Sequence, residues 1–453
     1  MNFQEFLATV SAWVWGPPVL ILIVGAGLFL TIRIGFLQFR LLPYSLKLAF
    51  SKSQDKSSEG DISHFQALMT ALAATVGTGN IAGVATAVVM GGPGAVFWMW
   101  ITALVGMATK YAEAVLAVKY RVVNEKGEMS GGPMYYLEKG LGQKWLGVLF
   151  ALFGSIAAFG IGNMVQSNSV AEVVEVTFSI PTWITGIILT IFTALVLLGG
   201  IKSIGKVTSF FVPIMALFYL IAGLIVMVMN AGLIPDAIAL ILSDAFTGEA
   251  VAGGAIGAVI RYGVARGVFS NEAGLGSAPI AAAAAKTDLP GRQALVSMTQ
   301  VFIDTIIICS ITGITLVMGG LYDSGLKGAE LTSETFTKFL GSSGSYVVAI
   351  GLLFFASSTI IGWSYYGEKC FTYLFKEKSA IFYRIVFVAF VFVGAISSLQ
   401  TVWNIADIMN ALMAIPNLIG LLGLSGVVAL ETRKIIEKIR EEKEQGLERD
   451  IGM

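Results

Sequence analysis

Val76-Gly77-Thr78-Gly79-Asn80-Ile81-Ala82-Gly83 interrupts an apolar run over residues 65–90, and Gly267-Val268-Phe269-Ser270-Asn271-Glu272-Ala273-Gly274 interrupts another over 252–285. Both breaks carry Asn-x-Ala-Gly, at Asn80 and again at Asn271. A run of about 20 apolar residues crosses roughly 30 Å of hydrocarbon. Glycine and polar residues inside such a run free backbone N–H and C=O groups, which lipid tolerates only where they line a cavity or hold something. Two breaks at corresponding places in two halves of a chain point to the cargo site of a transporter.

The rest of the composition agrees. Of 453 residues, 56% are hydrophobic and 13% charged, with mean hydropathy +0.81; a soluble chain carries about 25% charged residues. The expected fold is therefore an all-α polytopic membrane protein, with the lipid bilayer as its solvent. Net charge is zero, so no basic field calls for a nucleic-acid partner. Cys309 and Cys370 stand alone, without metal-ligand spacing, and His64 is the single histidine. The N-terminus carries Glu5 and no basic stretch, so it does not read as a cleaved signal peptide.

Eleven candidate spans follow, at about 13–32, 65–90, 95–118, 145–174, 182–200, 207–229, 252–285, 293–318, 345–367, 382–398 and 403–430. Lys and Arg collect on cytoplasmic loops. They occupy alternate connections here: Arg33, Arg40, Lys47, Lys52 and Lys56; Lys119 to Lys144; Lys202 and Lys206; Lys286 and Arg292; Lys369 to Arg384; and the tail. The intervening loops hold only Lys327 and Lys338. That alternation places the N-terminus outside and the C-terminus in the cytoplasm of a cell-membrane protein. Counted from the first break, the spans form two sets of five, and an odd number inverts the second set. The expected division is an extra helix at 13–32, repeats at 64–230 and 251–430, and a charged tail at 431–453 reading as a short solvated helix. A monomer is the working expectation.

Gly91-Gly92-Pro93-Gly94-Ala95-Val96-Phe97-Trp98-Met99-Trp100 resembles the signature of the alanine/glycine:cation symporter family. Ser130-Gly131-Gly132-Pro133-Met134-Tyr135-Tyr136 and Ser270-Asn271-Glu272-Ala273-Gly274 are similar to that family as well. The resemblance runs from about residue 13 to 430. It implies a leucine-transporter-type fold and Na⁺-driven uptake of alanine or glycine, with Na⁺ as the co-transported ion. The break Val76-Gly77-Thr78-Gly79-Asn80 also resembles that of the sodium-dependent leucine transporters. By that likeness the N–H groups of Thr78 and Gly79 would meet the substrate carboxylate, and the carbonyls of Ala73 and Val76 would help bind one sodium. Ala74 stands where those transporters have an Asn ligand, so a second sodium site of that design does not carry over. Ser357, Ser358 and Thr359 fall where the fold places sodium-binding hydroxyls.

Chemistry singles out the same region. A half-helix starting near Gly79 offers free N–H groups and a positive dipole end to a carboxylate, and Gly77 and Gly79 permit close approach; small residues for helix packing are the competing reading. Phe269, Ser270 and Asn271 could close the pocket. Glu272 is an acid at membrane depth, where charge is expensive and usually paired or functional; Arg266 is a possible partner, the substrate ammonium another. Gln166 and its amide neighbours Asn163 and Asn168 could touch substrate or tie helices together. Trp363 could wall the pocket or sit at the interface, and the three hydroxyls could instead bond to their own i−4 carbonyls. Asp304 is a coupling or structural acid, Lys110 and Glu113 form a local i,i+3 pair, and Asp407 faces an outer vestibule. Proton coupling through Glu272 or Asp304 is the runner-up. A channel lacks a continuous polar pore, and no HExxH or GxSxG motif supports an enzyme.

Overall fold

Ser63 starts the first broken helix. Its hydroxyl accepts from the Gln66 N–H at 3.1 Å, and the Gln66 side chain accepts from the Ser63 N–H at 3.0 Å, a reciprocal cap that satisfies two orphan donors. The computed structural model describes residues 3–51, 58–246, 255–397 and 399–445. Lys52 and Lys56, residues 252–254 of the expected seventh span, residue 398 of the tenth and the tail beyond 445 lie outside the described residues.

In chain order, the helices that build the site are α1 (Pro17–Arg33), α2 (His64–Thr75), α3 (Gly79–Gly91) and α4 (Ala95–Lys119). A short hairpin follows, β1 (Val122–Val123) with β2 (Met129–Ser130). Then come α5 (Lys144–Phe178), α6 (Thr182–Leu197), α7 (Gly200–Met229), α8 (Ala255–Asn271) and α9 (Pro290–Gly319). The chain ends with α10 (Ser343–Phe375), α11 (Ala380–Ile396), α12 (Leu399–Gly423) and α13 (Ser425–Glu444).

Each of the eleven expected places holds helix among the described residues, the seventh only up to Asn271 and again over Pro279–Ala282. Among the described residues eight helices are long and apolar enough to cross a membrane, nine when the α2–α3 pair counts as one span. The other two, α6 and α8, are shorter at 16 and 17 residues. Residues 201–206, expected as a loop, are helical and belong to α7. The 33 residues of α10 extend roughly 50 Å.

Packing sorts these helices into two groups. The buried helix α4 packs on α8, α9 and α1, and α3 packs on α8. In the other group α5 packs on α10 and α12, while α6 packs on α11. The first broken helix touches both, because α2 lies against α7, α9 and α10. Close approach there needs missing side chains: a Cβ at Gly362 of α10 would stand 2.7 Å from the Cβ of Ala74 in α2. The tail helix α13 is charged, as expected, but it is docked rather than solvated all round. Ile435 seats on Gly291, and Glu431 pairs with Lys119 at 2.9 Å.

Candidate functional site

Helix α2 stops at Val76 and the axis turns by 53° before α3. Gly77 and Thr78 therefore leave the helical ladder, and their N–H groups need other partners. The Asn80 Oδ1 accepts from the Gly77 N–H at 2.9 Å, and the Gln166 Oε1 accepts from the Thr78 N–H at 3.2 Å. Gln166 is held in turn by its Nε2, which donates to the Ile161 carbonyl at 2.9 Å. Gly79 opens a π-helical turn, Gly79–Gly83, and its N–H lies at a helix start, where no intrahelical acceptor exists. A Cβ at Gly77 would run into the Thr359 hydroxyl, which is why the break and α10 can meet.

On the carbonyl side of the same break, oxygens converge. The Ser358 hydroxyl donates to the Ala73 carbonyl at 3.2 Å. The Thr359 hydroxyl lies 3.1 Å from the Ala73 carbonyl and 3.4 Å from that of Val76. Each hydroxyl's single proton can go instead to the Phe355 carbonyl, at i−4 for Thr359 as the packing reading expects and at i−3 for Ser358. Ser357 is buried on the same helix and does not reach these carbonyls. Two carbonyls and two hydroxyls at this spacing form a neutral oxygen set of the kind a small hard cation takes.

The second break falls later than the sequence suggests. Helix α8 is continuous through Gly267 to Asn271, and the backbone reverses at Glu272, Gly274 and Gly276, with φ of 57°, 92° and 83°. Its freed N–H groups are caught by one acid: Glu113 Oε1 accepts from Gly274 at 3.0 Å, Gly276 at 3.1 Å and the Asn417 Nδ2 at 2.7 Å. Asn417 also donates to the Gly274 carbonyl at 2.9 Å and accepts from the Tyr136 hydroxyl. Lys110 pairs with Glu113 at 3.6 Å and donates to the Glu272 carbonyl at 3.1 Å. The i,i+3 pair is therefore present, and it also braces the break from α4.

Glu272 does not pair with Arg266. Its Oε1 accepts from the Trp363 indole at 2.7 Å and its Oε2 from the Ser277 hydroxyl at 2.5 Å. Arg266 instead reaches Asp407 at 3.4 Å and lies over the rings of Phe269 and Trp403, which stack at 5.4 Å. Asp407 is thus an ion-pair partner, and together with Arg266 it lines a small pocket beside Trp15 and Tyr262. Asp304 acquires partners from both breaks: its Oδ1 accepts from the Asn80 Nδ2 at 2.8 Å, and its Oδ2 accepts from the hydroxyls of Ser270 and Thr305, each at 2.8 Å.

A narrow cavity of only about 10 Å³ lies between the breaks. Of the residues singled out from sequence, Gly77, Gly79, Gln166, Phe269, Glu272, Thr359 and Trp363 line it. Thr78, Asn80, Ser270, Asn271 and Asp304 are buried behind that lining. Asn271 braces backbone, its Oδ1 accepting from the Ala273 N–H and its Nδ2 donating to Thr305. Thr75, Ala74 and Ile161 complete the wall without having been anticipated. Ile161 carried a signal: it sits between Gly160 and Gly162 in a π-helical turn of α5, and a further such turn, Phe302–Cys309, carries Asp304. Widened turns of this kind often mark functional sites. Gly162 has no room for a Cβ because Trp363 packs there.

The cavity is closed on both sides. Toward one face stand Phe269, Trp403 and the Arg266–Asp407 pair. Toward the other, Asp61 and Ile62 pair with the strand-like residues 284–286, and Arg121 donates to the carbonyls of Glu59, Ala283 and Ala285. The hairpin joins that seal, since the Met129 N–H donates to Asp61 at 2.7 Å and Glu128 pairs with buried Lys369 of α10 at 3.3 Å.

Comparison with known proteins bears on the same architecture. The family model described as the sodium:alanine symporter family matches residues 1–449. The chain is 62% identical over 441 residues to the sodium/alanine symporter AgcS of Methanococcus maripaludis, covering 96% of this chain and 97% of that one. It is 38% identical over 414 residues to a Bacillus subtilis protein named "Probable sodium/glutamine symporter GlnT", covering 91% and 86%. Among solved structures, that of MhsT in complex with L-phenylalanine matches with a TM-score of 0.58 at 13% identity, over 83% of this chain and 98% of that one. At that identity the likeness speaks for the fold.

Proposed function

The chain belongs to the sodium:alanine symporter family, and from that premise we propose that it imports alanine, and glycine with it, together with Na⁺ by alternating access. It is a sodium-coupled amino-acid symporter of the membrane, not an enzyme. The observation that carries the substrate reading is the meeting of the two helix breaks at one narrow cavity, lined by Gly77, Gly79, Gln166, Phe269 and Glu272 and walled by Trp363 and Ile161. So tight a wall favours a small side chain.

The geometry supports the following roles. The substrate carboxylate is held at the start of α3 by the Gly79 N–H, with Gln166 yielding the Thr78 N–H. Gly77 and Asn80 shape that turn. Na⁺ takes the carbonyls of Ala73 and Val76 and the hydroxyls of Ser358 and Thr359; Ser357 is left out of the set. Phe269 forms the lid, and Ser270 and Asn271 fix the second break through Asp304 and Thr305. Ion and substrate share one unwound segment, so each raises the other's affinity, and by linkage the effect is reciprocal.

The alternation of Lys and Arg supports an N-terminus outside and a C-terminus in the cytoplasm, with Arg266 and Asp407 then at the outer seal and Arg121 and Lys369 at the inner. The two helix groups support rocking of one body, α2 to α4 with α8 and α9, against the other. Residues 64–230 and 251–430 are the inverted halves, and a monomer is sufficient. Proteoliposomes loaded with K⁺ should accumulate labelled alanine when an inward Na⁺ gradient is imposed. Equal uptake with K⁺ on both sides, or accumulation driven by a pH gradient alone, overturns the coupling.

A further inference from the structure

Glu272 is 1% exposed and sits on the cavity wall. Its two carboxylate oxygens are fixed by neutral donors, the Trp363 indole and the Ser277 hydroxyl. No Lys or Arg forms an ion pair with it among the described residues. The nearest candidate by sequence, Arg266, is engaged with Asp407. Lys110 pairs with Glu113 and donates to the Glu272 backbone carbonyl, and its charge acts on the Glu272 carboxylate without an ion-pair contact. A carboxylate at membrane depth normally carries a partner, and leaving one partner of a buried pair unmatched is strongly unfavourable. The two neutral donors orient this group without neutralising it.

We propose that Glu272 is the specificity residue for the α-ammonium group of the substrate. The inference rests on the reading of this cavity as the amino-acid site and adds the second pole of recognition. The first break is positive in character and takes the carboxylate. Glu272, across the same cavity, supplies the fixed negative charge for the –NH₃⁺ group. Trp363 then has two tasks in one side chain: its indole N–H aims the carboxylate, and its ring limits the space beside it. The arrangement selects zwitterions over simple carboxylates, because a ligand without an ammonium group leaves Glu272 unpaired.

The test compares two ligands and two variants of the full-length protein in Na⁺. Binding is read by ligand-induced thermal stabilisation. Wild-type protein should bind L-alanine at least 100-fold more tightly than propionate, which keeps the carboxylate and lacks the amine. Glu272→Gln keeps an acceptor oxygen for the Trp363 indole, places an N–H₂ that can donate to the Ser277 hydroxyl in place of accepting from it, and removes the charge. It should keep its stabilisation by Na⁺ alone, weaken alanine at least 10-fold and compress the alanine-to-propionate ratio. A variant that binds alanine within two-fold of wild type, or keeps the full ratio, overturns the assignment. Should that variant not fold, Glu272→Asp decides: its charge is withdrawn by one methylene, so alanine should weaken at least 10-fold while the Na⁺ response stays. Unchanged alanine affinity in Glu272→Asp likewise overturns it. These are ratios between ligands and variants, so they are independent of whether the wild type couples uptake to Na⁺, which the gradient experiment tests by itself.

Discussion

At the residue scale, hydroxyls on α10 separate cleanly by what they reach. Thr359 faces two carbonyls of the first break, Ser358 faces one, and Ser357 faces neither. Thr359→Val keeps the shape and deletes a cation ligand, so the Na⁺ concentration for half-maximal uptake should rise roughly 10–100-fold, the cost typical of disturbing a metal site. Uptake should recover toward wild type at high Na⁺. Ser357→Ala should leave the same curve within two-fold; a shift as large as that of Thr359→Val would remove the distinction. Asn80 acts differently, tying the Gly77 N–H to Asp304. Asn80→Ala strands both, and it should abolish most uptake while protein still reaches the membrane. Near-normal uptake would count heavily against the first break as the site.

At the element scale, the two breaks are built by different means. The first is capped by its own Asn80 and by Gln166 from α5. The second depends on Glu113 from α4 and Asn417 from α12. Glu113→Ala leaves two buried N–H groups without an acceptor, each costing about 1–3 kcal/mol, and Lys110 without its counter-charge. Its melting temperature should fall well below that of Glu113→Gln, whose side-chain oxygen still accepts. Similar melting of the two variants would mean that charge, not capping, is the contribution. Gly276 has a positive φ, and a Cβ there would press on Pro133, Phe150 and Asn417. Gly276→Ala should therefore be among the most destabilising single changes, since left-handed strain of about 1–2 kcal/mol adds to overpacking of about 1–3 kcal/mol. A folded yield equal to wild type would show that the break can rearrange.

At the scale of the whole molecule, closure on the Arg121 side is made by segments far apart in sequence. Residues 59–62, the hairpin and residues 283–286 belong with α2, α4 and α8, whereas Lys369 belongs to α10 in the other helix group. The Lys369–Glu128 contact, with the Ser130 hydroxyl at 3.3 Å from the same ammonium, therefore fastens one group to the other. Lys369→Met removes the fastening and keeps most of the apolar stem. Amide hydrogen exchange across residues 122–130 should speed up by roughly five-fold or more, as local opening becomes easier. Unchanged exchange there would place the seal elsewhere, in the Arg121 contacts alone.

Much of this protein is written in local pattern. Apolar runs of spanning length and the Gly- and Asn-rich interruptions are set by a solvent that forbids unpaired backbone, and the alternation of basic loops by the retention of Lys and Arg on the cytoplasmic side. They determine an all-α membrane fold with two broken helices, and the Phe-Trp-Met-Trp signature identifies the family. The hydroxyl trio and the first break were legible as partners only through family likeness. Pairings between distant residues were not legible at all. Arg266 is six positions from Glu272 yet turns to Asp407, because a helix that continues to Asn271 points the two side chains apart. Asp304 gained Asn80 and Ser270, and Glu113 gained Gly274, Gly276 and Asn417, through contacts that no helical spacing encodes. The chain by itself determined that backbone would be freed in two places and located the first, while the second fell a few residues later than its pattern suggests. Only the tertiary structure decided which groups catch it and which acid stays unpaired, because those choices depend on how separate helices pack.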